Sequence, residues 1–246
     1  MSTPATWPIF MSKLVSRHEV ADRTTAFRFE KPLGWTFKAG QFLDMTLPDP
    51  SETDAEGNKR GFSIASGPHE ETIMVATRMR DTAFKRVLKT MPLGKAVKIE
   101  GPFGDLTLQN NSARAAVFLA GGIGITPFRS IVHRAAKEKL PHHIYLFYSN
   151  RRPEDAPFLE ELQALERENP HYTLIASMTE MAKSHRPWSG ETGLINGEVL
   201  SKYLNTAVLP IYYIAGPPAM VKGLREMLNK IGVDDDDVRT EEFCGY

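Results

Sequence analysis

The chain has one cysteine in 246 residues, and this scarcity excludes several kinds of site. The thiol of Cys244 cannot form an internal disulfide, and it cannot supply the four thiolates of an iron–sulfur cluster or a structural zinc site. The histidines follow no metal-ligand spacing, so no metal is expected. No run of about 18 apolar residues and no leader cleavage pattern occurs, which predicts a cytoplasmic protein without a membrane span.

The sequence also lacks a net charge. Thirty basic and thirty acidic side chains cancel, so no overall field draws the chain to nucleic acid or to an anionic membrane surface. The composition, 41% hydrophobic and 24% charged, is typical of a globular protein that buries sizeable cores. Because a single domain usually has about 150 residues, this length predicts two domains.

The first domain, residues 1–110, is predicted to be an antiparallel β-barrel. Short runs rich in β-branched and aromatic residues lie between clusters of Gly, Pro and Asp, and they cover residues 25–29, 41–47, 62–65 and 72–78. Apolar residues at helical spacing predict one helix over 82–90, and the polar stretch 49–59 predicts an exposed loop.

The second domain, residues 111–246, is predicted to be a parallel-sheet α/β domain. Continuous apolar strands are expected at 115–119, 144–148, 172–177 and 211–215. Amphipathic helices over 127–139, 157–168 and 218–231 alternate with them, which is the order of a parallel sheet covered by helices.

A glycine-rich segment, LAGGIGITPF over residues 119–128, joins the first of these strands to the first helix. Gly122 and Gly124 let the backbone turn tightly and approach a ligand. With Thr126 as the N-cap and Pro127 as the first helical residue, the helix start would face an anion such as a pyrophosphate. Pro127 stands where the usual dinucleotide fingerprint has a third glycine, and a purely structural turn is the alternative.

A second segment, RGFSIAS over residues 60–66, lies in the predicted barrel. Arg60 can bind a phosphate through paired hydrogen bonds, Phe62 can lie against a planar ring, and the Ser63 hydroxyl can contact a ring nitrogen. The alternative is an ordinary barrel strand, with Phe62 in the core and Arg60 on the surface.

Five motifs in order resemble the ferredoxin–NADP reductase family: RGFS, GPFG, GGIGITP, AGPPAM and the terminal EEFCGY. The resemblance covers nearly the whole chain and implies an FAD-binding barrel followed by an NAD(P)-binding domain. It implies an NAD(P)H-dependent flavoprotein reductase that transfers hydride to flavin N5. Electrons would pass to a separate acceptor, namely ferredoxin, flavodoxin, an oxygenase component, a cytochrome or free flavin. We expect a monomer.

The resemblance also implies the site residues. Those expected at the FAD are Arg60, Gly61, Phe62, Ser63, Ala76, Thr77, Arg78, Thr82, Ala83 and Phe84, with Phe243 and Tyr246 covering the ring. Those expected at the nicotinamide nucleotide are Gly122, Gly124, Thr126, Ser149, Asn150, Arg151, Gly216, Pro217 and Met220. Ser63, Thr126 and Glu242 are the expected catalytic residues; Glu242 either delivers a proton or is a solvated carboxylate.

Three alternatives stay open. The strand over 144–148 is followed by Ser-Asn-Arg-Arg without a carboxylate, and Arg151 alone is a thin phosphate site, which favours NADH over NADPH. Lys85, Arg86 and Lys89 form either a basic rim for a ferredoxin or a solvated helix face. Ala215 stands where related reductases often have a cysteine, and Phe62 where tyrosine is commoner. A flavin-binding regulatory or interaction protein that has lost hydride transfer is therefore the alternative function.

Overall fold

Two sheets organise the computed structural model, which describes residues 7–204 and 209–243. The first sheet contains β1 (Ile9–Ala21), β2 (Thr24–Glu30), β3 (Phe42–Thr46), β4 (Lys59–Ser63), β5 (Thr72–Arg78) and β6 (Ala96–Phe103). Its order is β4-β3-β6-β1-β2-β5, and each of these neighbouring pairs is antiparallel. The Ala65 N–H donates to the Met74 carbonyl at 2.7 Å, which joins the extension of β4 to β5 and closes the barrel.

One helix, α1 (Ala83–Thr90), packs on the barrel. The Thr82 hydroxyl caps it by accepting from the Lys85 N–H at 3.4 Å. Phe84 and Leu88 point from α1 into a core that the alternating inward residues of the strands complete, among them Phe27, Leu43 and Ile99.

The second sheet contains β7 (Ala116–Gly121), β8 (Ile144–Asn150), β9 (Tyr172–Met178), β10 (Glu191–Thr192), β11 (Ile211–Gly216) and β12 (Val238–Glu242). Its order is β10-β9-β8-β7-β11-β12, and each of these neighbouring pairs is parallel. The chain starts at the centre with β7 and proceeds first to one side and then to the other. The switch point between β7 and β11 is where such sheets bind ligands, outside the carboxyl ends of the strands.

Helices cover both faces of this sheet. On one face lie α2 (Ile125–Glu138) and α3 (Leu159–Glu168), whose apolar residues share a core with Phe118 and Tyr213. On the other lie α4 (Gly197–Tyr203) and α5 (Pro218–Lys230), which pack against Val117 and Ile214. The strands are therefore apolar on both sides, which explains their continuous hydrophobic runs. No helix in the described ranges is long and apolar enough to cross a membrane.

The two sheets are docked by an apolar seam and by a buried arginine. Four barrel residues, Ala26, Ala65, Met74 and Ala76, belong to the same buried cluster as the α2 side of the second sheet. Arg129 of α2 is 3% exposed and donates to the Ala65 carbonyl at 2.6 Å and to Glu70 at 3.1 Å. Ser130 donates to the Ser66 carbonyl at 2.7 Å. These buried hydrogen bonds and the apolar seam therefore stabilise the relative position of the two domains.

The predicted fold class is confirmed, and the predicted helices and strands occur within a few residues of their expected bounds. Five elements were not predicted from the sequence: β1, β6, β10, α4 and the edge strand β12. In β1 the buried positions are Ser12 and Leu14 while several apolar residues are exposed, and Val238 is the one apolar residue of β12, so neither strand shows a clear apolar alternation. The predicted division at residue 110 falls between β6 and β7 and stays a prediction.

Candidate functional site

A cleft of about 340 Å³ opens where the barrel meets the edge of the second sheet. Its lining includes Phe42, Phe62, Ser63, Glu241, Glu242 and Phe243. The first three come from β3 and β4 and the last three from β12 and the residue after it. Residues of the barrel and of the last strand of the second sheet thus line the same cleft.

The cleft contains a hydrogen bond between the two domains. The Ser63 hydroxyl donates to Glu241 Oε1 at 2.9 Å. Glu241 reaches it because β12 pairs in parallel with β11, in a register that sets Glu241 opposite Ala215. Burial raises the pKa of the Glu241 carboxyl, Ser63 lowers it and the charge of Asp105 raises it further.

The catalytic role expected of Glu242 stays a prediction, and the structure adds a second carboxylate beside it. Glu242 lines the cleft, but it is exposed, and the carboxylate bonded to Ser63 belongs to Glu241. Successive side chains of a strand point to opposite faces, so the register of β12 decides which of the two faces Ser63. Cys244 and Tyr246 lie outside the described residues. Phe243 lines the cleft, and its N–H donates to the Gly216 carbonyl at 3.0 Å.

Aromatic rings form the barrel side of the cleft. Phe62 is 8% exposed and packs against Phe84 with ring centroids 5.9 Å apart. Phe42 packs against Phe103 at 5.6 Å. Phe62 therefore packs in the barrel core and also lines the cleft. Together with Phe42 it provides an apolar wall for a flat ligand.

Arg60 lies beside the start of α1, where the expected phosphate site is. Its guanidinium is bonded to Glu56 at 2.8 Å, lies 3.5 Å from Asp54 and stacks over the Phe84 ring at 5.2 Å. The other oxygen of Asp54 accepts from the Ala83 N–H at 3.0 Å. A carboxylate of the 49–59 loop thus occupies an anion site made by an arginine and a helix N-terminus.

The rest of the expected flavin segment is mostly buried. Ala76 and Thr77 are 5% and 1% exposed and contribute to the domain seam and to β5. Arg78 donates to the Asp155 carbonyl at 3.5 Å, which reaches the second domain.

Lys85 and Arg86 of α1 are bonded to groups within the chain, whereas Lys89 is exposed. Arg86 is bonded to Glu52 at 2.9 Å, and Lys85 donates to the Arg78 carbonyl at 2.8 Å. Burial lowers the pKa of the Lys85 ammonium to about 8. These contacts favour a structural role for both residues over a free basic rim.

The glycines after β7 have different surroundings. At Gly122, with φ of 53°, an added Cβ would meet no atom within 4 Å, so its open side can admit a ligand. At Gly124 an added Cβ would lie 2.2 Å from the Ala215 carbonyl oxygen, and at Gly121 it would lie 2.1 Å from Met220 Sδ. The small size of Gly124 is therefore required by the neighbouring strand, and its contact with a nucleotide stays a prediction.

Thr126 is not the helix N-cap. A 3-10 turn over Gly122–Gly124 precedes α2, and Gly124 is the cap, so Thr126 lies inside the first turn. Its hydroxyl donates back to the Ile123 carbonyl at 3.0 Å, and the residue is 1% exposed. Thr126 is not among the lining residues of the Ser63 cleft within the described part of the chain. Because the 3-10 turn leads directly into α2, the helix begins at Ile125, two residues earlier than predicted.

Gly216, Pro217 and Met220 lie at the switch point beside the glycine turn. Gly216 is so close to Gly121 that an added Cβ would sit 3.3 Å from the Gly121 nitrogen. Pro217 precedes α5, and Met220 packs its sulfur against both glycines. The two loops that flank the switch point are thus in contact.

Ser149, Asn150 and Arg151 follow one another at the carboxyl end of β8. Asn150 is buried, whereas the Arg151 side chain is 67% exposed. Arg151 has a partner that the sequence analysis missed: Glu180, which follows β9, has Oε1 3.7 Å from Arg151 Nε. An acidic residue just after a parallel strand is a signal that could have been noticed.

The residues present fit the two groups that the resemblance implies. Asp54 shows that Arg60 and Ala83 N–H bind an oxyanion, as a pyrophosphate requires, and the Phe42–Phe62 wall suits an isoalloxazine ring. The open side of Gly122 suits a second phosphate at the switch point.

Comparison with known proteins agrees with this geometry. The family model of the oxidoreductase NAD-binding domain matches residues 118–226. The chain is 27% identical over 244 residues to ferredoxin–NADP reductase B of Sorangium cellulosum, a match that covers 95% of this chain and 97% of that protein. It is 26% identical over 239 residues to reductase component 2 of terephthalate 1,2-dioxygenase from Comamonas sp, a match that covers 96% of this chain and 68% of that protein. Other curated relatives are longer, and this chain spans about half of their length.

Among solved structures, the fold is similar to a ferredoxin NADP+ reductase from Neisseria gonorrhoeae with bound FAD and NADP. The TM-score is 0.77 and the sequence identity 22%, over 95% of this chain and 98% of that one.

An antiparallel barrel joined to a parallel nucleotide-binding sheet, with a shared cleft, defines a two-domain flavin- and nicotinamide-dependent oxidoreductase. These comparisons support the ferredoxin reductase-like family of FAD- and NAD-binding proteins that the motifs resemble. The predicted cofactors, FAD and NAD(P)H, and the predicted class of enzyme are confirmed by the comparisons.

Proposed function

We propose that the chain is a monomeric, cytoplasmic reductase that takes a hydride from a nicotinamide nucleotide onto FAD at the Ser63 cleft. Electrons then leave to a separate redox protein, such as a ferredoxin, a flavodoxin, a cytochrome or an oxygenase component. The observation that carries this proposal is the Ser63–Glu241 hydrogen bond, because it joins the two domains inside an aromatic-walled cleft. A bound flavin supplies the hydride acceptor and a carrier of one or two electrons.

The residues of the barrel hold and orient the cofactor. Arg60 and the Ala83 N–H would hold the pyrophosphate in place of the Asp54 carboxylate, which now binds both of them. Phe42 and Phe62 exclude water from the flat ring. The open side of Gly122, at the switch point of the second sheet, would admit the nicotinamide nucleotide.

Ser63 and Glu241 donate and accept the proton that accompanies electron transfer. The hydroxyl can donate to a ring nitrogen or to Glu241, and the carboxyl can hold a proton at a higher pH than an exposed carboxyl because it is buried. Glu242, the next residue, is exposed and lines the same cleft.

Anaerobic absorbance titration tests the proposal. Flavin absorbance should bleach when NADH or NADPH is added, and reduced protein should be reoxidised by a one-electron redox protein. Ser63→Ala should slow reduction at least tenfold, as expected for the loss of one positioned donor, while flavin stays bound. Ser201→Ala, an exposed serine of α4, is the matched control. Flavin that binds but is reduced by neither nucleotide would support the regulatory-protein alternative instead.

A further inference from the structure

A second cavity lies along the segment that links the two domains, and we call it the linker cavity. Its volume is about 510 Å³, and it shares no lining residue with the Ser63 cleft. The linking segment contributes residues 104–106 to the cleft and residues 107–110 to the linker cavity. Strand β12 likewise contributes residues 240–242 to the cleft and Arg239 to the cavity. The linker cavity is therefore separate from the proposed FAD and nucleotide sites.

Both domains supply walls of the linker cavity. Phe37, Lys38 and Pro68 come from the barrel. Arg134 and Arg239 come from α2 and β12 of the second domain. The complete cavity therefore exists only when the domains are docked. A ligand that binds there binds the folded chain and not the unfolded one, so it stabilises the docked arrangement.

The walls of the linker cavity carry more positive than negative charge. Three cations, Lys38, Arg134 and Arg239, line it, and Glu138 is the one carboxylate among its described lining residues. Arg134 is paired with Glu138, with Nε 2.9 Å from Oε2. In the ranges that the structure describes, no carboxylate lies within ion-pair distance of Lys38 or Arg239. The excess of positive charge in a concave site attracts an anion.

The Arg239 guanidinium is fixed in the cavity wall. Its Nη1 donates to the Thr107 carbonyl at 2.9 Å, and the group stacks over the Tyr213 ring at 5.2 Å from the ring centroid. A guanidinium has five N–H donors in a planar fork, so these contacts leave donors for a carboxylate or a phosphate. Because the side chain is already positioned, it loses less conformational entropy when it binds a ligand.

The linker cavity also has an apolar wall. Phe37 is 8% exposed and packs against Trp35 with ring centroids 5.3 Å apart. Pro68 and Leu108 belong to the same lining. Small-molecule sites combine apolar surface with a few convergent polar groups, in cavities of roughly 300–1,000 Å³. The lining therefore suits an anion with an apolar body better than a bare inorganic ion.

We propose that the linker cavity binds a small organic oxyanion, with its charged group on Arg239 and Lys38 and its apolar body against Phe37. A carboxylate and a phosphate ester share this chemistry, and the test separates them. The ligand bridges the barrel and the second domain. The site does not depend on hydride transfer, so it goes beyond the proposed reductase function.

Isothermal titration calorimetry of the FAD-loaded full chain tests the site with four probes: cyclohexanecarboxylate, cyclohexyl phosphate, cyclohexanecarboxamide and acetate. At least one of the two ring-bearing anions should bind about tenfold more tightly than the neutral amide and than acetate, because it supplies both charge and apolar surface. The tighter of the two identifies the oxyanion. Saturating NAD+ should leave its affinity unchanged. The same anion should raise the melting temperature of the native chain.

Two cavity variants and two matched controls locate the binding. Arg239→Gln should weaken anion binding about tenfold, and Lys38→Gln, at an exposed position, up to about fivefold. Arg167→Gln and Lys230→Gln remove exposed cations outside the cavity and should bind like the native chain. Because Arg239 also contacts Tyr213, circular dichroism checks the fold of its variant. Lys38→Gln tests the site even if Arg239→Gln does not fold.

The outcomes that would overturn the site are specific. Equal affinity for the amide and for both ring-bearing anions would show that the cavity does not select an anion. Binding that both cavity variants leave unchanged would place the anion elsewhere, and loss of binding in saturating NAD+ would place it in the nucleotide site. Flavin reduction by NADH or NADPH tests the proposed function separately, so the two can fail independently.

Discussion

The Ser63 hydroxyl and the Glu241 carboxylate are 2.9 Å apart, although 178 residues separate them in the chain. Ser63 ends barrel strand β4, and Glu241 lies in β12 at the edge of the second sheet. The bond can form only when the two domains are docked. It therefore couples a titratable group in the cleft to the domain arrangement that Arg129 and the apolar seam maintain.

Replacing Glu241 by Gln should change stability in a pH-dependent way. A raised pKa means that the folded chain binds this proton more tightly than the unfolded chain, so ionisation destabilises the fold as pH rises from about 4.5 through the raised value. The Gln variant still accepts from Ser63 and avoids that cost. We expect a higher melting temperature than the native chain at pH 7 and an equal one at pH 4.

Glu242→Gln is the matched control, because the Glu242 carboxylate is exposed and makes no hydrogen bond to Ser63. Thermal unfolding followed by circular dichroism gives both comparisons. A lower melting temperature for Glu241→Gln than for the native chain at pH 7 would contradict the assignment.

Replacing Arg129 by Met should destabilise the fold strongly. The guanidinium is buried between the domains and satisfies the Ala65 carbonyl, Glu70 and Glu161, and it stacks on Phe158. Removing it leaves Glu70 with Arg28 and the Gly67 N–H as its remaining partners and leaves the buried Ala65 carbonyl without this donor, and the loss of charge-assisted hydrogen bonds typically costs about 1.5–3 kcal/mol. Urea denaturation should show this loss, whereas Arg134→Met, an exposed position on the same helix, should cost less than about 1 kcal/mol. Equal losses would show that Arg129 does not hold the interface.

Acid should weaken the fold through Glu161. Burial works against its ionisation, but hydrogen bonds from His133 and Arg129 outweigh burial and lower its pKa to about 2. A lowered pKa contributes stability that is present above about 4.5 and is lost as pH falls towards 2. Glu161→Gln should be less stable than the native chain at pH 7, and the difference should vanish near pH 2. A difference in unfolding free energy that does not depend on pH would refute this source of acid sensitivity.

Replacing Asp54 by Asn should strengthen FAD binding. The native carboxylate competes for Arg60 and for the Ala83 N–H, which the FAD pyrophosphate would use. An exposed ion pair is worth about 0.2–1 kcal/mol, so affinity should rise up to about fivefold. Fluorescence titration measures this, and riboflavin, which has no phosphate, should bind Asp54→Asn and the native chain alike. Glu52→Gln removes a carboxylate that pairs with Arg86 instead and should have no effect.

Alanine at the two glycines of the β7–α2 turn should have different consequences. Gly124→Ala places a methyl group against the Ala215 carbonyl and should destabilise the fold by about 1–3 kcal/mol or more. Gly122→Ala has room, but its positive φ costs about 1–2 kcal/mol, and the methyl group points to the nucleotide side. We expect weaker NAD+ binding in Gly122→Ala. Weaker binding only in Gly124→Ala would reverse the two roles.

Much of the fold could be predicted from sequence because its signals are local. The apolar strands of the second domain, the glycines after β7 and the RGFS segment of β4 depend on backbone preference and hydrophobic period, which neighbouring residues determine. The change from short barrel strands to alternating strands and helices predicted the two domains, and the resemblance of the five motifs implied the cofactors. The individual site residues stay predictions until binding is measured.

The tertiary structure alone decided which groups face each other. The choice of Glu241 over its neighbour depends on the register of β12 against β11, and the partner of Arg60 depends on how the 49–59 loop folds back. The need for glycine at position 124 depends on the distance to Ala215, and the pairing of Arg151 with Glu180 depends on two adjacent strand ends. Each of these contacts joins residues that are distant in sequence. The distances in these contacts are determined by how whole helices and strands pack together. A local pattern of residues does not contain that information.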